Sequence, residues 1–120
     1  MAKATLPHRD PSRGEVWQVD LRPARGREQD GPRPAVIISE DRFNHGPADM
    51  VIVIPVTSRN KKIPSHVFVP KGEAGLTLDS YVKVEDVRAI SKERLIAYLG
   101  DLTSPRVERV EQILRVLLKL

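Results

Sequence analysis

Residues 25–44 read RGREQDGPRPAVIISEDRFN. A charged segment punctuated by glycine, Arg25–Arg33, runs directly into an apolar run, Ala35–Ile38. That pattern predicts a polar arm seated on a buried strand. Pro32 and Pro34 bracket Arg33. Proline fixes its own φ and pushes the residue before it towards extended geometry. Pro34 therefore stiffens the backbone that carries the Arg33 guanidinium, at the point where loop becomes strand. Binding and catalytic groups favour such junctions. Taken alone, Gly-Pro-Arg-Pro also fits an ordinary solvated turn, so the rest of the chain must decide.

Working outward, residues 13–21 alternate. Trp17, Val19 and Leu21 share one side, and Val16, Gln18 and Asp20 the other, which predicts a strand with one apolar face. Core packing is the simplest role for Trp17, the single tryptophan. Met50–Thr57 (MVIVIPVT) is a second apolar, β-branched run. Pro55 cannot donate to a ladder, so an edge or a bulge is expected there. Short strands follow at His66–Val69, Ser80–Val84, Val87–Ile90 and Leu95–Leu99. Turns are expected at Asn44–Pro47 and Lys71–Gly75, and a helical turn capped by Ser91 at Ser91–Arg94. From Leu102 the period changes. Val107, Val110, Ile113, Leu114, Leu117 and Leu118 recur at spacings of three and four, the mark of an amphipathic helix. Ser104 suits its N-cap and Pro105 its first turn. The sum is a mainly β fold: a small, bent β-barrel closed by a C-terminal helix.

The chain of 120 residues suits one domain, expected over residues 13–120, with residues 1–12 as a polar tail. It holds no cysteine, so thiolate metal sites, thiol nucleophiles and disulfides are excluded. Lys and Arg number 20 against 16 Asp and Glu, a net charge of +4 that permits nucleic-acid binding without establishing it. No signal peptide or bilayer-spanning run is visible, so no membrane is expected and the cytoplasm is the default compartment.

Three polar clusters fall at strand ends: Arg25–Arg33, Thr57–Lys62 (TSRNKK) and Lys83–Arg88 (KVEDVR). Convergence at one rim would bring arginine forks, which bind phosphate in a bidentate way, together with a threonine hydroxyl and carboxylates. Such parts suffice to cut RNA without metal. The substrate's 2′-hydroxyl attacks the adjacent phosphate while the protein positions it, moves protons and stabilises charge. The same charges also fit a solvated strand edge. His8, His45 and His66 are too dispersed for a metal pattern, and no metal or other cofactor is expected. Ser58 and Ser80 lack the histidine and carboxylate partners of acyl transfer.

The blocks RGEVWQVDL, RGREQDGPRPAVIIS, DRFN and VIVIPVTS, in that order, closely resemble the MazF/PemK family of toxin endoribonucleases. The resemblance runs from about Arg13 to Leu120. It implies an SH3-like β-barrel with a C-terminal helix, working as a homodimer. It implies sequence-specific, metal-independent cleavage of single-stranded RNA to 2′,3′-cyclic phosphate and 5′-hydroxyl ends. It also implies a cognate acidic antitoxin laid over the substrate groove. Carried over by motif, Arg33, Thr57 and Glu28 are the expected catalytic residues. Arg27, Gln29, Ser58, Lys83, Glu85, Asp86 and Arg88 are the expected RNA-binding residues. Arg27 stands where other members carry histidine or serine, Lys83 where a relative carries arginine, and Asp86 where many carry glutamine. A carboxylate accepts but does not donate, so Asp86 should alter which bases are tolerated. Two rivals remain: a non-catalytic nucleic-acid-binding barrel, and a related toxin that inhibits gyrase by protein contact.

Overall fold

A computed structural model describes residues 10–21 and 31–120. Seven strands are present among them: β1 (Glu15–Asp20), β2 (Pro32–Ile37), β3 (Met50–Thr57), β4 (His66–Val69), β5 (Ser80–Lys83), β6 (Arg88–Ser91) and β7 (Leu95–Asp101). A four-residue helix α1 (Asp41–Asn44) follows β2, and α2 (Ser104–Leu118) follows β7. All pairings are antiparallel, in the order β4-β5-β3-β2-β1-β7, with β6 also on β3.

The expected closed barrel does not form. β4 and β7 end the sheet, and no ladder joins them among the described residues. A 3-10 turn, Glu73–Gly75, packs on β7, the last strand of the sheet. The approach is backbone to backbone. Gly75 has φ +74°, and a Cβ there would lie 2.2 Å from the Leu99 carbonyl oxygen. The turn therefore seats directly against the strand where only glycine fits.

The central strands are buried on both faces. Val16, Val36, Ile54 and Val56 belong to one core, completed by Val67, Val82, Val110 and Ile113. Trp17, Val19, Ala35, Ile37 and Val53 belong to the other, under Ile90, Leu95 and Tyr98. Alternation along each strand thus feeds two cores, and the continuous apolar runs of β2 and β3 follow from that. Trp17 is a core residue, as its simplest reading had it. Its ring meets Tyr98 edge-on at 5.9 Å, and its Nε1 donates to Glu15 Oε1 at 3.0 Å.

The helix begins one residue earlier than its sequence signals imply. Ser104 is already helical, and Thr103, the N-cap, makes no side-chain cap. Glu73 takes over that work. Its Oε2 accepts from the Thr103 N–H and hydroxyl, and its Oε1 pairs with Arg106 at 3.2 Å. A carboxylate at a helix N-terminus is stabilising, so this contact pins α2 to the turn that packs on β7. No element is expected for residues 41–43, and a turn from Asn44 on; the structure forms α1 there. Glu40 caps it by accepting from the Arg42 N–H, and buried Asn44 donates to the Ser39 carbonyl. Of the expected tail, residues 1–9 lie outside the described residues. Pro11 is buried, and its carbonyl bonds His45 Nε2 at 2.8 Å. No helix among the described residues is long and apolar enough to cross a membrane.

Candidate functional site

Pro55 shapes the site. The β2–β3 ladder ends at Ala35↔Pro55, while β3 runs on to Thr57. On its other edge β3 changes partner around the same residue. β6 stops at Val53↔Arg88 and β5 begins at Val56↔Val82, so Pro55 falls between the two. The irregularity expected at Pro55 is therefore a change of partner in mid-sheet. A residue that cannot donate is tolerated where no ladder needs its N–H.

A cavity opens at each break. In the first, of about 280 Å³, Arg33 and Thr57 share a wall with Ser58, Gln18 and the Leu76–Leu78 loop. The second, of about 30 Å³, is lined by Arg33, Pro55, Lys83, Asp86, Arg88 and Leu21. Arg33 borders both. Its Nε is buried and has no hydrogen-bond partner among the described residues. An orphaned guanidinium N–H in a cleft is costly unless an acceptor comes to meet it. Thr57 is 4% exposed, and its Oγ1 accepts from the Arg59 N–H at 3.2 Å, which leaves the hydroxyl proton to donate.

The third sequence cluster divides. The 3-10 turn Val84–Asp86 bridges the gap between β5 and β6. Lys83 Nζ and Asp86 Oδ2 pair across it at 2.8 Å, on the Arg33 side. Glu85 lines neither cavity. Its Oε1 accepts from Ser65 Oγ at 2.6 Å, and its Oε2 meets His66 Nε2 at 2.8 Å. Burial raises the Glu85 pKa, but the hydrogen bonds from Ser65 and His66 outweigh it and hold the carboxyl below its usual range. Ser65, Glu85 and His66 are not a nucleophilic relay, because the carboxylate stands between hydroxyl and imidazole. The contacts brace the turn.

Arg33, Thr57, Ser58, Lys83, Asp86 and Arg88 are thus brought together, and Glu85 stands apart from them. Glu28, Arg27 and Gln29 lie outside the described residues. Sequence reasoning missed Gln18, Leu21 and the Leu76–Leu78 loop, which line these cavities but carry no motif or charge pattern of their own.

Comparison with known proteins gives the family of the chain. Residues 12–118 match the family model described as PemK-like, MazF-like toxin of type II toxin-antitoxin system. Endoribonuclease MazF9 of Mycobacterium tuberculosis is 37% identical over 113 residues, covering 90% of this chain and 96% of that protein. The crystal structure of MazF from Deinococcus radiodurans superposes with a TM-score of 0.82 at 26% identity, covering 93% and 99% of the two chains. A MazE-MazF crystal structure from the same organism gives a TM-score of 0.78 at 26% identity, covering 93% and 98%. The chain belongs to the PemK-like, MazF-like family of toxins of type II toxin–antitoxin systems.

Proposed function

We propose that the chain is a metal-independent, sequence-specific endoribonuclease that cuts single-stranded RNA, the toxin of a toxin–antitoxin pair acting in the cytoplasm. The observation that carries the reading is the Arg33 side chain. It carries a buried, unpartnered Nε, shares one cavity with Thr57, and shares another with Lys83 and Arg88. A phosphodiester in the first cavity satisfies that donor.

The ribose 2′-oxygen attacks the adjacent phosphorus and the bond to the 5′-oxygen breaks, leaving a 2′,3′-cyclic phosphate and a 5′-hydroxyl. Arg33 stabilises the added negative charge, and its very high pKa makes it a poor proton donor. Thr57 orients a phosphate oxygen. Glu28, carried over by its motif, takes the 2′-hydroxyl proton, and water delivers a proton to the 5′-oxygen as it leaves, the resulting hydroxide being neutralised by the proton Glu28 gives up. Arg27, Gln29, Ser58, Lys83 and Arg88 hold flanking nucleotides. Asp86, acceptor only, favours a base that presents an amino group. Glu85 braces the turn that carries Lys83 and Asp86.

A cognate acidic antitoxin fits the same cationic groove and competes with RNA by overlap. The D. radiodurans relative is crystallised as MazE-MazF, which supports that partner class. We extend the reading to a homodimer. The end of α2 leaves Val116, Leu117, Leu118 and Leu120 exposed, an apolar surface that a second copy would cover.

The test is incubation of the pure protein with single-stranded RNA in chelator. Cleavage with cyclic phosphate ends supports the enzyme. RNA that is retarded on a gel but left intact supports a binding module, and gyrase inhibition without either supports the third class.

A further inference from the structure

The chain has five aromatic residues of the Phe, Trp and Tyr kinds. Two of them, Phe68 and Tyr81, stand ring to ring at 5.5 Å with a 45° tilt, and neither belongs to a core. Phe68 is 44% exposed and Tyr81 half-buried. Core packing does not explain a pair of rings held at the surface.

Their position does. Thr57 pairs in register with Tyr81, and Tyr81 with Phe68. Residues opposite one another in a ladder project from the same face. Thr57, Tyr81 and Phe68 therefore form one row across β3, β5 and β4, and the row begins at a residue that shares a cavity with Arg33. Two strand spacings, about 10 Å, separate Thr57 from Phe68. Directly after Thr57, the loop bearing Arg59, Lys61 and Lys62 is exposed and leads round to β4. Flat rings in one row with Thr57, together with an exposed basic loop that starts directly after it, are the kinds of parts that hold single-stranded nucleic acid. The cations follow the backbone while the rings take the π-face of a base.

We propose that Phe68 and Tyr81 form a stacking platform for a nucleobase flanking the scissile phosphate, on the side marked by Thr57. The inference rests on the endoribonuclease reading. It adds that RNA crosses the strands from β2 towards β4. Stacking is indifferent to base identity, so the platform contributes affinity and direction more than sequence choice.

The experiment is steady-state cleavage of an RNA carrying the cut site identified by end sequencing. Phe68→Leu and Tyr81→Leu keep apolar bulk and remove the aromatic face, while Phe68→Tyr and Tyr81→Phe keep it. Both Leu variants should melt like the wild type and raise KM about five- to hundredfold, with kcat within about twofold. The Tyr and Phe exchanges should restore the wild-type KM. In the wild-type protein, an abasic scan of the RNA should show one flanking position whose loss raises KM equally. At that position the Leu variants should lose nothing more. A flat scan, or Leu variants with wild-type KM on RNA that the wild type cuts, ends the platform and leaves the nuclease reading standing. No cleavage of any RNA by the wild type ends both.

Discussion

Arg33 is the residue on which the proposed chemistry turns. A guanidinium on a backbone stiffened by flanking prolines, with one N–H orphaned in a cleft, is set up to meet an anion. Arg33→Ala should lower kcat about 100- to 1000-fold, the usual cost of losing a group that stabilises transition-state charge. The melting temperature should hold, because no described hydrogen bond of the side chain is lost. Steady-state kinetics beside a thermal melt checks both. Glu85 answers to a different measurement. Its folded-state pKa lies below its unfolded value, so its contribution to stability is present above the unfolded pKa and fades as pH falls through the folded one. The effect is modest, since the side chain is about a third exposed and screened by solvent. The acid limb of melting temperature against pH should therefore be shallower in Glu85→Gln, with the two proteins differing most near neutrality and converging in acid.

At the scale of elements, β3 organises the molecule. It pairs with β2, β5 and β6, and its proline sits where partners change. Much of this was legible. Met50–Thr57 and His66–Val69 appear with their expected bounds, because β-branched apolar runs flanked by turn residues leave little choice. Pro55 announced an irregularity, but a sequence cannot say whether a missing donor means an edge or a change of neighbour. α1 was not legible, since four residues are too few to show a period. The apolar stripe of α2 was read correctly as a stripe. How far the sheet covers it was not. Within the stripe Val110 and Ile113 are buried, while Leu117 and Leu118 are 47% and 54% exposed; Val116, off the stripe, is 80% exposed. Val110→Asp should destabilise the fold by about 4 kcal/mol or more, the tail of the single-substitution range. Val116→Asp should leave the monomer fold intact. Denaturant titration separates the two.

For the whole molecule, the lesson concerns closure. Strand count and shortness pointed to a barrel, and the order of strands fits one almost to the last pair. The last pair, β4 with β7, does not form; the Glu73–Gly75 turn lies against the β7 backbone, and nothing in the pattern of Lys71–Gly75 distinguishes a solvated turn from one wedged onto a strand. Gly75→Ala tests the wedge. A positive φ alone costs about 1–3 kcal/mol for a residue with a Cβ, and the clash with the Leu99 carbonyl adds to it. A larger fall in stability than at Gly72, which also has positive φ but open space around it, is the expected result. The site itself was legible in part. Arg33, Thr57, Lys83 and Arg88 could be picked from charge, proline and strand ends, but only the partner change at Pro55 explains why they meet.

The most direct test of that meeting uses RNA with a single 2′-deoxyribose at the cleavage position, presented to the pure protein in chelator beside its all-ribose twin. The account predicts that the ribose strand is cut to a 2′,3′-cyclic phosphate and a 5′-hydroxyl while the substituted strand stays whole at that position. Cutting of the 2′-deoxy strand there, or ends bearing a 5′-phosphate, would contradict it.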